Sequence, residues 1–130
     1  MPSFLKRLFG KNETQPDYLE QIREEIGYIK PHVNRDLGWH EEGLALQRSG
    51  DLQAAELKFK ELVMSQPEHH AGYEGLALVY QRLGRKDEAM FFIQEAIVRA
   101  KRFLDEGTLD RVVLDEIEQE FREIQQMEGA

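Results

Sequence analysis

Residues 36–69, DLGWHEEGLALQRSGDLQAAELKFKELVMSQPEH, and residues 70–103, HAGYEGLALVYQRLGRKDEAMFFIQEAIVRAKRF, are two versions of one pattern laid end to end. Under a shift of 34 residues Trp39 falls on Tyr73, Leu44 on Leu78, Gln47 on Gln81, Arg48 on Arg82, Gly50 on Gly84 and Ala55 on Ala89. Phe59, Glu61 and Val63 meet Ile93, Glu95 and Ile97 in the same register. The matched residue types have physical reasons. Gly50 and Gly84 stand where a helix must stop and reverse, and glycine takes the left-handed backbone without a Cβ penalty. Small residues at Gly43/Ala77 and Ala55/Ala89 let paired helices approach closely, with Trp39 and Tyr73 filling the remaining space. Pro67 cannot continue a helix that ends near Ser65–Gln66. A period of this length fits one helix, a turn and an antiparallel helix per unit.

On these residues the chain resembles the tetratricopeptide repeat (TPR) family over residues 36–103. The first unit sets Trp39, Gly43, Leu46, Gly50, Asp51, Ala55, Phe59 and Pro67 where the family has aromatic, small, apolar, turn, turn, small, aromatic and helix-stopping residues. The second supplies Tyr73, Leu76, Ala77, Tyr80, Gly84, Ala89, Ile93 and Ala96, and Lys101 replaces the closing proline, so its last helix is expected to run on. The resemblance implies an all-α fold: a short right-handed α-solenoid of antiparallel helix pairs with N- and C-terminal capping helices. It also implies a concave groove lined by the first helix of each unit. The places that line it hold Leu37, His40, Leu44, Gln47 and Arg48, then Ala71, Glu74, Leu78, Gln81 and Arg82, with Val112, Asp115 and Glu116 added by the last helix.

The function implied is that of a non-catalytic adaptor or scaffold that holds a peptide or protein segment in this groove. Leu44 and Leu78 would form its floor, flanked by two Gln–Arg pairs. The arginine fork suits carboxylates, which leaves two uses for Arg48 and Arg82: a partner's acids, or the chain's own Glu74, Asp115 or Glu116. One TPR subfamily grips the carboxylate-ended tails of chaperones with lysine, asparagine and arginine. Here the matching places hold His40, Leu44 and Gly75, so that clamp is absent.

Outside the repeats, residues 1–14 read as a basic amphipathic segment and a linker. Phe4, Leu5, Leu8 and Phe9 gather on one side, with Lys6, Arg7 and Lys11 around them and Gly10 as the stop. Such a segment suits an anionic membrane surface, or docks its aromatics on the chain's own helices or on another protein. Residues 15–130 form the helical domain. Asp17 is expected to cap a helix bearing Tyr18, Ile22, Ile26 and Ile29 that Pro31 ends, and Asn34 to cap the next. The repeat helices are expected over 36–49, 53–66, 71–83 and 87–105. Gly107 breaks the chain, and Thr108 caps a helix over 108–127 with an apolar stripe of Leu109, Val113, Ile117, Phe121 and Ile124, beside Val112. Its Asp115, Glu118, Glu120 and Glu123 are expected on the outer face. Two repeats need atypical ends to cover their core, so both flanking helices read as caps. If the last stripe is left open, it pairs instead with a second copy or another protein, and in the first case the chain is a self-associating structural subunit.

The net charge of −8 is unevenly spread. Residues 1–11 carry +3, and residues 105–130 set nine acids against Arg111 and Arg122. An acidic domain without a basic stripe argues against nucleic acid as a partner. There is no cysteine, and no apolar run nears the roughly 20 residues that span a bilayer. Lys6 and Arg7 interrupt any secretory leader, so a cytoplasmic location is expected, peripheral at the membrane if residues 1–11 bind lipid. No constellation points to catalysis, a cofactor or a metal. His40 with Glu41 and Glu42 lacks the HExxH spacing, and the adjacent His69 and His70 are expected to diverge.

Overall fold

The computed structural model describes residues 16–27 and 33–128, with side chains described from His40 onward in the helix that begins at Val33. The described residues are helical and contain no strand. In chain order the helices are α1 (Tyr18–Ile26), α2 (Val33–Ser49), α3 (Leu52–Ser65), α4 (His70–Arg82), α5 (Lys86–Asp105) and α6 (Arg111–Gln125). The basic segment expected over residues 1–14, with its Phe4, Leu5, Lys6, Arg7, Leu8 and Phe9, lies outside the described residues, as do Ile29, Pro31 and the side chains of Leu37 and Trp39.

The chain reverses where the sequence says it must. Gly50, Gly84 and Gly107 have φ of 89°, 74° and 77°, and in each case the residue after the glycine donates its N–H back to a carbonyl in the last turn of the helix. This closes the helix ends with the left-handed motif that glycine favours. Asp17 caps α1 as expected, accepting from the Glu20 N–H at 3.0 Å, and Asp51 caps α3 through the Ala54 N–H at 3.2 Å. Two expected caps differ. Helix α2 already begins at Val33, so Asn34 lies inside it. Helix α6 starts three residues beyond Thr108, whose hydroxyl turns back to the Phe103 carbonyl at 3.1 Å and closes the end of α5 instead. Helix α1 stops at Gly27 (φ 73°), ahead of the proline.

Consecutive helices from α2 to α6 pack on one another, and α4 also touches both α2 and α6. The core fills the seam with Phe59, Leu62, Tyr73, Leu76, Phe92, Ile93, Ile117 and Ile124, all essentially inaccessible. Phe59 explains two glycines at once. A Cβ on Gly43 would lie 2.7 Å from its ring, and one on Gly75 2.3 Å from it, so α2 and α4 both close on the same phenyl ring. Gly72 faces Val63 at 3.0 Å in the same way. The small residues of the pattern are therefore sites of helix contact.

Helix α6 packs on α5 and α4, whereas helix α1 lies against the second helices of the pairs. Helix α1 lies on α3, and its Tyr18 ring meets Phe91 at 5.0 Å and Phe92 at 5.9 Å on α5. It braces the second helices of both pairs. Helix α6 does bury a stripe, but the stripe includes Leu114 together with Ile117 and Ile124, while Val113 and Phe121 are half-covered and Val112 is 58% exposed. Glu120, expected on the wet face, is turned inward toward α4.

Candidate partner-binding face

Helices α2, α4 and α6 form a row in which α4 is central, and the sequence-predicted groove residues sit on it unequally. On α2, Leu44 is half-buried and packs on the core, and the His40 ring lies 6.4 Å from the Phe59 ring. Arg48 is exposed and makes no ion pair among the described residues. On α4, Ala71 is buried and offers little side-chain surface, whereas Leu78 is half-buried like Leu44 but is not part of the core cluster. Gln47 and Gln81 are both half-buried.

Arg82 does not pair with Glu74, Asp115 or Glu116 among the described residues. Its guanidinium donates to the main-chain carbonyl of Gln47 near the end of α2. The last carbonyls of a helix lack partners within it and carry its partial negative charge, so Arg82 ties the end of the first pair to the second. Asp115 is occupied by Arg111 at 3.4 Å, and Glu116 is exposed. Neither recurring arginine makes an ion pair among the described residues: Arg82 is held by the Gln47 carbonyl, and Arg48 is exposed.

Glu74 meets Glu120 across α4 and α6. The Glu120 carboxyl is pushed up to about 9, first by burial, then by its hydrogen bond to Glu74 and the charges of Glu74, Glu116 and Glu123. One of its oxygens, Oε1, is buried without a hydrogen-bond partner. Two facing acids that share a proton form a contact; two that are both ionised repel. Burial and the facing acid thus favour keeping a proton on the pair.

Among the described residues a polar cluster forms that the sequence did not point to. Lys60 is buried beneath α1, and its amine donates to both oxygens of Glu25 at 3.1 and 2.9 Å and lies 3.3 Å from Glu56. Tyr80 donates its hydroxyl to Glu56 at 2.6 Å. Arg85 stacks 4.7 Å over the Tyr80 ring and grips Glu88, one arm at 2.7 Å. Burial, then the hydrogen bond to Glu56, drives the Tyr80 hydroxyl far above its usual range. These groups surround a small cavity of about 130 Å³. The lysine and arginine are both committed to carboxylates, which makes the cluster a clasp between α1, α3, α4 and α5. A signal did exist in the sequence: Lys60 follows Phe59 at the heart of the first repeat.

The histidines also differ from expectation. His69 and His70 stack with ring centroids 4.5 Å apart, and Phe103 lies 5.3 Å from the first ring. His69 is the N-cap of α4, its Nδ1 accepting from the Ala71 N–H at 3.1 Å. That bond turns its ring back over the helix. Burial, then the neighbouring His69 and His40, push His70 down to about 4, so it is neutral at physiological pH. Among the described residues no group of three or more His, Cys, Asp or Glu is placed to hold a metal ion, and no helix is long and apolar enough to cross a membrane.

Compared with family models, curated proteins and solved structures, the chain matches none of them.

Proposed function

We propose that this chain is a non-catalytic interaction module of the TPR kind: a short right-handed stack of helix pairs that presents the α2–α4–α6 face to a peptide or protein segment. The observation that carries the reading is that this face holds both a partly buried apolar residue absent from the core cluster, Leu78, and an exposed arginine that makes no ion pair among the described residues, Arg48. An apolar side chain and a planar donor on one face suit a segment with one apolar anchor and a carboxylate. The packing of α4 on both α2 and α6 supports it, since a row of first helices is what the 34-residue period implies.

The test is capture of a partner from the native cell by the wild-type chain, by Arg48→Glu and by Leu78→Asp, with helicity checked by circular dichroism. A partner lost from both variants and kept by Leu57→Asp, on the exposed surface of α3, supports this face. Retention by both folded variants rejects it.

A further inference from the structure

An open groove of about 480 Å³ runs between α5 and α6, on a different surface from the proposed partner face. Its apolar wall is Ile97, Val98 and Phe121, of which Val98 is 54% exposed. Gln94 and Lys101 extend the wall along α5, and Glu118 and Arg122 form the α6 rim. Among the described residues no further helix covers this side of the α5–α6 pair.

The geometry points to an occupant within the same chain: the apolar face of residues 3–9, carried by Phe4, Leu5, Leu8 and Phe9, docks in the α5–α6 groove. Three observations converge on it. The first is position. Tyr18, the first residue of α1, rests its ring 5.0 Å from that of Phe91. Phe91 belongs to the same helical stripe as Gln94, Val98 and Lys101, at steps of three, four and three residues. Tyr18 thus sits on α5 about one turn before the helical stretch that lines the groove.

The second is reach. Val98 lies seven residues beyond Phe91, about 10 Å along a helix. Residues 10–16 span at most roughly 23 Å when extended, which is ample. A helical segment over residues 3–9 would itself be about 10 Å long, the length of the Gln94–Lys101 wall. The third is chemistry. A seven-residue helix is not stable alone in water, and four clustered apolar side chains want cover. The groove offers an aromatic ring and two aliphatic side chains, and its charged lining is Lys101 and Arg122 against Glu118, so the case for docking rests on the apolar contact and not on charge. Docking here would hide the basic amphipathic face from any membrane or partner until it is displaced.

The chain lacks cysteine, which makes a direct test clean. Leu8→Cys and Val98→Cys are introduced together into the full chain, and disulfide formation under mild oxidation is timed by gel mobility. The same pair is then timed with Phe4→Asp and Phe9→Asp added, which leaves the tether length unchanged and removes the apolar face. Docking predicts an intramolecular bond that forms about tenfold faster with the face intact, since a docked pair exceeds the millimolar effective concentration of a free tether. Equal rates in the two backgrounds would mean chance encounter and overturn the proposal. Covalent dimers that grow with protein concentration would assign the groove to a second copy and also overturn it.

Discussion

Helix α1 and helix α6 both flank the repeated pairs, yet they are held by different forces. Helix α1 is nine residues long, fully buries only Ile22, rests Leu19 and Ile26 partly on the core, and adds the Tyr18 ring contacts and the Glu25–Lys60 ion pair. Helix α6 is fifteen residues long, buries Leu114, Ile117 and Ile124, and takes the acid Glu120 in with them. One is clasped by charge at a half-exposed rim, where salt screens. The other is glued by apolar area, which salt does not weaken, but it carries a proton that pH can remove. The difference predicts that α1 opens as a local unit while α6 unfolds with the whole molecule.

The strongest way to break this comparison is to truncate a core residue on each helix. Ile117→Ala is expected to cost about 2–5 kcal/mol, the usual range for Ile→Ala at a site without access to water. Ile22→Ala should cost less, because its loss cannot exceed the free energy with which α1 docks. Urea titration followed by circular dichroism measures both. Deletion beyond Glu106 should go further and give a partly unfolded or aggregating chain, while a cooperative melt at an unchanged midpoint would show that α6 is not part of the cooperative unit. Equal losses from the two alanine variants would show that α1 is as integral as α6.

Next in size is Lys60→Met, expected to cost about 1–3 kcal/mol by leaving Glu56 half-buried beside Tyr80 without its cation. The signature is local as well as global: amide exchange in α1 should speed up more than exchange in α6. Uniform acceleration across both helices would remove the idea of a separate clasp.

The pH dependence sharpens the contrast from the other side. Glu120 has its folded pKa raised to about 9, so its contribution is fully present below the ordinary Glu value of about 4.3 and is lost as pH rises toward 9. His70 is lowered to about 4, so its contribution is present above the usual value near 6.5 and is lost as pH falls toward 4. Between pH 7 and 9 the acid pair alone of these two sets the slope, and the wild-type melting temperature should fall. Glu120→Gln keeps a hydrogen-bonding amide against Glu74 without a titrating proton, and should be flatter over that range and more stable at its upper end. A wild-type profile that stays flat between pH 7 and 9 would mean that Glu120 is not held protonated.

How much of this was legible beforehand follows from how local each feature is. The helix reversals at Gly50, Gly84 and Gly107 and the cap at Asp17 are written in single residues, and the structure has them where the sequence places them. Gly43 and Gly75 could be read as close-packing sites, though not that both close on Phe59. What escaped depends on rotation and long-range pairing. The inward turn of Glu120 and the burial of Leu114 follow from the angle at which α6 meets α4 and α5, and an apolar stripe fixes that angle only to within a residue. The Lys60 clasp joins four helices, and no spacing rule links Glu25 to a lysine 35 residues on. The proposed partner face was legible as a row of positions, but Arg82 bonding back to Gln47 was not, since a backbone carbonyl leaves no mark in the sequence.

The smallest expected effect compares one exposed ion pair on each flanking helix. Glu25 is 52% exposed at its side chain but bonds Lys60, which is 11% exposed, whereas Arg111 and Asp115 are 69% and 58% exposed. Solvent screens both members of the second pair and only one of the first. Glu25→Gln should therefore cost up to about 1 kcal/mol, and Arg111→Ala about 0.5 kcal/mol or less. The first cost should shrink in high salt, because its outer member is wet and the Debye length falls to about 3 Å at 1 M. Lys60 would keep Glu56 at 3.3 Å in either case, which is why losing Glu25 should matter less than losing Lys60. Denaturation of both variants at low and high salt measures the difference. A salt-independent loss in Glu25→Gln would mean that the glutamate acts by packing, and the clasp would then be an apolar contact of the same kind as that of α6.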